Sequence, residues 1–261
     1  MLRLTVTFVR YVLAWINTLA FSILACILAV LIGPSRMWVF TSRRWAVSTL
    51  WLVGVRLNVE GLANLKGPAL FIANHQSLID VVFMPALLPR TVRFVAKKEL
   101  RRIPLWGWAF AAGGAVLIDR KNPRAAISNI REGLKRLPKD WSLVVFPEGT
   151  RTQDGSMRPF KKGAFHMAVE TGLPLVPIGM DGAREIVPRD GWLVRSGEVR
   201  VVVGKPLDTR GWTNESLDQH MAEGRAAVQR CVDRAVARRQ ADTDTTHPSS
   251  SLFSWPWATR G

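Results

Sequence analysis

Residues 11–33 run for 23 positions without a charge, broken only by mild polar residues such as Asn17, Thr18 and Ser22. A helix of about 20 apolar residues crosses a bilayer, so this stretch is long enough. Arg3 and Arg10 precede it, and Arg36, Arg43 and Arg44 follow. Basic residues on both flanks leave its orientation open. A cleaved signal sequence has an apolar core of only about 7–15 residues and a small-residue cleavage site, and the stretch meets neither condition. A second apolar segment, 37–55, carries Arg43 and Arg44 in its middle with Trp38, Trp45 and Trp51 around them. Snorkelling arginines and anchoring tryptophans suit a helix lying in the headgroup region. Two arrangements fit: one span plus one interfacial helix, or a two-helix hairpin dipping into one leaflet.

From about Arg56 the pattern changes. Short runs rich in Val, Ile and Phe predict strands at 56–59, 69–73, 92–95, 115–118, 143–146 and 175–178. Helical patterns fall between several of them, at 77–88, 98–112, 123–137 and 163–170. This alternation predicts an α/β fold: a mixed, mostly parallel sheet flanked by helices, with an N-terminal membrane-associated helical segment. Segments 192–195 and 198–203 around Ser196-Gly197 predict a late antiparallel hairpin. A last helix is expected over 216–239, opened by a capping box from Ser216 and Gln219. The expected organisation is therefore anchoring helices over 1–55, a catalytic domain over 56–240 and a disordered tail over 241–261, where Trp255 and Trp257 could touch membrane.

Charge narrows the partners. The formal net charge is +16, which calls for an anionic surface or substrate. Eight Lys/Arg against Glu99 and Asp119 between Thr91 and Arg124 form a basic patch suited to lipid headgroups or an acyl carrier. Nucleic acid is not expected as a partner. The 11 tryptophans concentrate around the apolar N-terminal region, where indole favours the membrane–water interface, not along a basic stripe. Two cysteines, Cys26 and Cys231, exclude a disulfide framework and point to a reducing compartment. Four scattered histidines, among them His166, His220 and His247, show no metal-ligand spacing, so no metal is expected.

Two segments carry chemistry. A strand runs into Asn74-His75-Gln76-Ser77-Leu78-Ile79-Asp80. Positions five apart do not share a helix face. His75 and Asp80 meet only if the histidine lies in the loop and the aspartate in the first helical turn. Ser77 and Asp80 also have capping-box spacing, and a helix-capping carboxylate is the plain alternative for Asp80. The second segment is Phe146-Pro147-Glu148-Gly149-Thr150-Arg151, again directly after a buried-type strand. A glycine at a strand exit lets backbone N–H groups converge, and an adjacent arginine binds phosphate in bidentate fashion.

Taken in order, these blocks resemble the glycerolipid acyltransferase family, specifically the bacterial 1-acyl-sn-glycerol-3-phosphate acyltransferases. Asn74, His75 and Asp80 match its N-H-x4-D block, and residues 146–151 match Phe-Pro-Glu-Gly-Thr-Arg in full. Lys97, Glu99, Pro104 and Gly107 match a third block, and Val176-Pro177-Ile178 a fourth. Asp119-Arg120 and Lys162-Gly163 also look like the family. The resemblance covers about residues 50–210. It implies a glycerolphosphate acyltransferase-like fold and acyl transfer from a coenzyme A or carrier-protein thioester to lysophosphatidic acid, giving phosphatidic acid. It implies His75 as general base, oriented by Asp80, and substrate binding by Lys97, Glu148, Gly149, Thr150 and Arg151. Glu148 is expected to orient Arg151 or receive a glycerol hydroxyl. Free imidazole titrates at about pH 6.5, which suits a base near neutrality. No cofactor is implied, and the expected location is the inner membrane with the catalytic domain on the cytoplasmic face. The open alternatives are another acceptor (glycerol-3-phosphate, a lyso-ornithine lipid or another lysophospholipid) and a hydrolase that activates water.

Overall fold

The structure, a computed structural model, describes residues 2–119, 130–135, 140–188 and 194–244. Helix α1 (Leu2–Leu31) is long and apolar enough to cross a membrane, and most of its apolar window faces outward. It turns through Ile32-Gly33 into α2 (Pro34–Val53), which starts on a proline, where the missing N–H costs nothing. The two helices pack antiparallel. The polar residues inside the apolar stretch join them: Asn17 Nδ2 donates to Ser48 Oγ and Thr49 Oγ1, each at 3.0 Å. Trp45 Nε1 donates to Thr18 Oγ1 at 3.1 Å. In an apolar setting such bonds matter because the alternative is an unsatisfied polar group.

Met37, Trp38, Thr41, Ala46, Leu50 and Val53 are buried, and α2 packs on α3 (Ile79–Leu87) of the following domain. The two helices form a hairpin joined to the domain that follows. Trp38 Nε1 donates to Val92 O at 2.9 Å. The fully buried Arg93 guanidinium lies 2.9 Å from the Trp141 ring centroid and 5.1 Å from that of Trp38. α2 ends at Gly54, in a left-handed conformation (φ 72°, ψ 35°) that only glycine adopts cheaply. The next residue already belongs to the sheet.

The strands are β1 (Val55–Glu60), β2 (Leu70–Ala73), β3 (Val92–Lys97), β4 (Val116–Ile118), β5 (Ser142–Val145), β6 (Leu175–Asp181) and β7 (Gly197–Val203). These described strands form one sheet in the order β1-β7-β6-β2-β5-β3-β4. β6, β2, β5, β3 and β4 are mutually parallel, while β7 is antiparallel to β6 and carries β1 parallel to itself. This is the expected mixed, mostly parallel sheet. Period-2 alternation divides its side chains between two cores. Phe71, Val144, Val176 and Ile178 face the hairpin and α3 (Ile79–Leu87). Leu70, Ile72, Leu143 and Leu175 face α6 (Gly163–Thr171) and α8 (Leu217–Asp244). Helices α4 (Trp106–Ala112), α5 (described over residues 130–135) and α7 (Ala183–Ile186) complete the set.

Several expectations change. The late hairpin does not form within the described residues: 194–196 are not a strand, and β7 has both edges taken, by β1 and β6. Trp192 lies outside the described residues, as do most of the helix expected at 123–137 and Arg120, His247, Trp255 and Trp257. The helix expected at 98–112 breaks in two. Lys98–Arg102 is a short 3-10 turn, and Pro104 prevents its continuation into α4. Leu105 there adopts φ 60°, ψ −66°, with Trp106 N donating to Pro104 O at 2.7 Å, a strained γ-turn. A Cβ on Gly107 would lie 2.1 Å from Leu100 O, which explains the glycine at this position. The basic patch is smaller than its sequence count, because Arg93 is buried and Lys98 pairs with Asp119. α8 continues through Asp244 and opens without the Ser216–Gln219 box; Ser216 Oγ instead meets His220 Nε2 at 2.9 Å.

α8 crosses β6 at Gly179, where an added Cβ would lie 2.2 Å from Cys231 C and Val232 N. Both neighbours are backbone and cannot swing aside. Gly179→Ala is therefore expected to cost about 1–3 kcal/mol by overpacking, read as an earlier midpoint in chemical denaturation of the detergent-solubilised protein.

Candidate active site

β2 and β5 are adjacent and parallel, with Ile72 opposite Val145, so the chain leaves both strands at one edge of the sheet. His75 follows β2 by two residues, and Phe146-Pro147-Glu148-Gly149 follows β5 directly. The C-terminal edge of parallel strands is where open α/β sheets place their ligands.

The five-residue spacing closes as the chemistry requires. His75 is in the loop, Asp80 is in the first turn of α3, and Nδ1 of the imidazole lies 2.8 Å from Asp80 Oδ2. Asp80 is fully buried. The same Oδ2 accepts the backbone N–H of Gln76 at 2.7 Å and of Ser77 at 2.8 Å. The capping box is thus incomplete: the carboxylate arm is present, while Ser77 Oγ donates to Val187 O at 2.7 Å and accepts from Ile79 N at 3.4 Å, not from Asp80 N. Asp80 caps the helix and holds the imidazole at once, so the two readings of this residue coexist. Asn74 forms a two-way amide bridge to β6, donating to Met180 O at 2.9 Å and accepting from Met180 N at 2.8 Å. It fixes the loop on the side opposite β5.

Glu148 behaves differently from the expectation. Its side chain is 2% exposed; Oε1 accepts the backbone N–H of His75 at 2.7 Å and Oε2 that of Arg158 at 2.9 Å. The carboxylate ties the His75 loop to the loop after β5. It is not an exposed group waiting for a glycerol hydroxyl. Thr152 N donates back to His75 O at 2.9 Å, closing a second tie between the same loops. Burial raises the Glu148 pKa, against the opposing effect of the two amide bonds.

Phe146 stacks on the imidazole, with centroids 4.2 Å apart and planes at 18°. Sequence reasoning gave it no role beyond motif membership, because a ring stack between residues 71 positions apart leaves no local pattern. Lys161 was also missed. Its side chain lies against Gly149, 3.1 Å from where a Cβ would sit, and its N–H donates to Pro147 O at 2.9 Å. Gly149 itself has φ 73°, which confines the position to glycine. Arg151 is half-buried, while Thr150, Lys97 and Lys161 are exposed. Lys97 ends β3, whose register beside β5 brings it to the same edge. No group of three His, Cys, Asp or Glu suited to a metal ion occurs among the described residues.

These features define the class: an α/β protein carrying a carboxylate-oriented imidazole beside a basic, glycine-containing turn at the C-terminal edge of its parallel strands. A family model described as acyltransferase matches residues 56–181. A 1-acyl-sn-glycerol-3-phosphate acyltransferase of Pseudomonas aeruginosa is 30% identical over 221 residues, covering 82% of this chain and 84% of that protein. That of Saccharomyces cerevisiae is 32% identical, covering 89% and 78%. A relative of the same name from Limnanthes douglasii is 36% identical over 173 residues, and the match spans 62% of its length. Among solved structures, the 1-acyl-sn-glycerophosphate acyltransferase PlsC of Thermotoga maritima matches with a TM-score of 0.72 at 25% identity, over 95% of this chain and 98% of that one. The chain belongs to the glycerolipid acyltransferase family.

Glu148→Gln leaves one acceptor oxygen where two amides need one each. It is expected to lower stability by about 1–3 kcal/mol. A carboxyl whose folded pKa is raised contributes stability that is present below its unfolded pKa and lost as pH rises through the folded value. The stability gap between wild type and Glu148→Gln should therefore widen as pH falls from neutrality, measured by denaturant titration across that range.

Proposed function

We propose that the protein transfers a fatty acyl group from a thioester to the sn-2 hydroxyl of 1-acyl-sn-glycerol-3-phosphate, yielding phosphatidic acid. The observation that carries this reading is the 2.8 Å His75–Asp80 pair facing the Glu-Gly-Thr-Arg turn. With Nδ1–H donated to Asp80, Nε2 keeps a lone pair, which takes the hydroxyl proton as the alcohol oxygen attacks the thioester carbonyl. Collapse of the tetrahedral adduct breaks the carbon–sulfur bond, and the imidazolium returns its proton to the departing thiolate. Asp80 stabilises the imidazolium between these steps. Phe146 restrains the ring plane, so the base needs no reorganisation to react. The substrate hydroxyl is the nucleophile, so no acyl-enzyme is required.

The acceptor's phosphate fits the turn at Gly149, with Arg151 as a planar fork and Lys97 and Lys161 as point charges. The donor is an acyl thioester of coenzyme A or of a carrier protein. The lipid acceptor stays in the bilayer, because each buried methylene contributes about 0.8 kcal/mol. The outward apolar face of α1, with Trp15 59% and Ile16 57% exposed, suits the same location, and the catalytic domain would work on the cytoplasmic face of the inner membrane.

His75→Ala is expected to lower turnover by on the order of 10²–10⁴-fold with unchanged circular dichroism; full activity would remove the base assignment. Arg151→Ala should act mainly on the acceptor's apparent KM, raising it about tenfold or more, as loss of a charge-assisted bidentate contact does. Running both variants with lysophosphatidic acid and with a dephosphorylated acceptor separates phosphate recognition from chemistry.

A further inference from the structure

The end of β6 carries a brace between the two loops of the catalytic edge. Helix α7 follows β6 through Gly182, with Ala183 and Ile186 buried in the core, and Arg239 of α8 pairs with its Glu185 at 2.7 Å. Both ends of this short, anchored helix reach across to the loops. Just past its C-terminus, Val187 O accepts from Ser77 Oγ of the His75 loop at 2.7 Å. From its first turn, Arg184 Nη1 donates to Asp154 O at 2.5 Å, in the loop that follows Arg151. The close approach suits Gly155, where φ is 100° and an added Cβ would lie 3.3 Å from the same nitrogen. The segment that Arg184 grips is cross-linked within itself. The buried Thr152 Oγ1 donates to Ser156 O at 2.7 Å and accepts the Gly155 N–H at 3.1 Å. Asp154 Oδ1 accepts from Ser156 Oγ at 2.6 Å and from Ser156 N at 2.9 Å, bonds that lower its carboxyl pKa to about 2.

A turn linked in this way is stiff, so a hold on one corner sets the position of the rest. Its first corner is Thr152, which directly follows Arg151 and donates its N–H to His75 O at 2.9 Å. We propose that Arg184 is a positioning residue for acyl transfer: by holding Asp154 O it fixes the Arg151 guanidinium at the separation from His75 that the acceptor's phosphate and hydroxyl demand. This role rests on Arg151 receiving that phosphate, as proposed above. Arg184 bonds to the turn and His75 to Asp80, so the effect of Arg184 on the substrate passes through Arg151. The Arg184 side chain is an exposed arm, and its loss costs the core nothing. A lysine there keeps the charge and a donor for the carbonyl but not the planar fork.

The test is a double-mutant cycle on acyl transfer by the full-length protein, with lysophosphatidic acid and with a dephosphorylated acceptor. Arg184→Ala is expected to raise the apparent KM for lysophosphatidic acid about fivefold, with kcat, its pH profile and the circular dichroism as in wild type. Transfer to the dephosphorylated acceptor should not change, and Arg184→Lys should recover most of the loss. In an Arg151→Ala background, Arg184→Ala should add less than about twofold, because residues acting through one another are not additive. The full increment in that background would make Arg184 an independent phosphate contact or a diffuse charge, and would overturn the positioning role. A KM within about twofold of wild type in Arg184→Ala would also overturn it. So would an equal loss with the dephosphorylated acceptor, which marks general loosening of the site. The comparison variant is Arg225→Ala, which removes an exposed arginine whose Nη2 donates to Met157 O at 3.3 Å, outside the cross-linked turn. It is expected to stay within about twofold of wild type, and a KM rise matching that of Arg184→Ala would reject the proposal. An unchanged KM in Arg151→Ala alone would instead remove the phosphate assignment and this role with it, a result distinct from failure at Arg184.

Discussion

The buried carboxylate of Asp80 is the constraint on which the catalytic edge depends. One oxygen accepts from the His75 ring and from two consecutive backbone amides. The amides set the path of the chain from β2 into α3, and that path sets where the imidazole can reach. A charge buried in this way is tolerated because several donors replace the water it lost. The imidazole is thereby defined from three directions: by Asp80 at Nδ1, by Phe146 on a ring face and by Glu148 and Thr152 through its backbone. Only the remaining ring nitrogen is left for chemistry.

Much of this arrangement can be read from the amino-acid sequence, because it is local. The His-to-Asp spacing works only with a loop followed by a helix start, and the hydrophobic runs before each motif announce the strands that align them. What sequence reasoning missed is non-local or involves backbone. Glu148 recognises two main-chain N–H groups, which have no side-chain signature, so its role had to come from coordinates. Lys161 reaches Gly149 across a loop closure. β7 is expected to pair with residues 192–195, yet it inserts between β6, the strand before it, and β1, which is far from it in the chain. The break at Pro104 was visible in principle, but helical periodicity continued across it.

The N-terminal region shows how polar residues in an apolar run acquire meaning. Asn17 and Thr18 look like imperfections in a membrane-crossing pattern, and they are the groups that bind α1 to Ser48 and Trp45 of α2. Trp38 then binds α2 to the start of β3, with Arg93 between two indoles beside it. Tryptophan here has two duties, packing the hairpin onto the sheet and covering its outer surface, which is why composition alone could not tell core from interface.

The junction at Gly54 has a mechanical consequence. A single left-handed residue separates the end of α2 from β1, and β1 is hydrogen-bonded into the sheet from its first position. There is no tether with slack to take up. Any tilt of the helical pair passes directly to the sheet that holds the imidazole. With the pair seated in lipid as proposed above, the height of the reaction centre over that layer becomes a built-in dimension of the fold, like the fixed arm of a caliper.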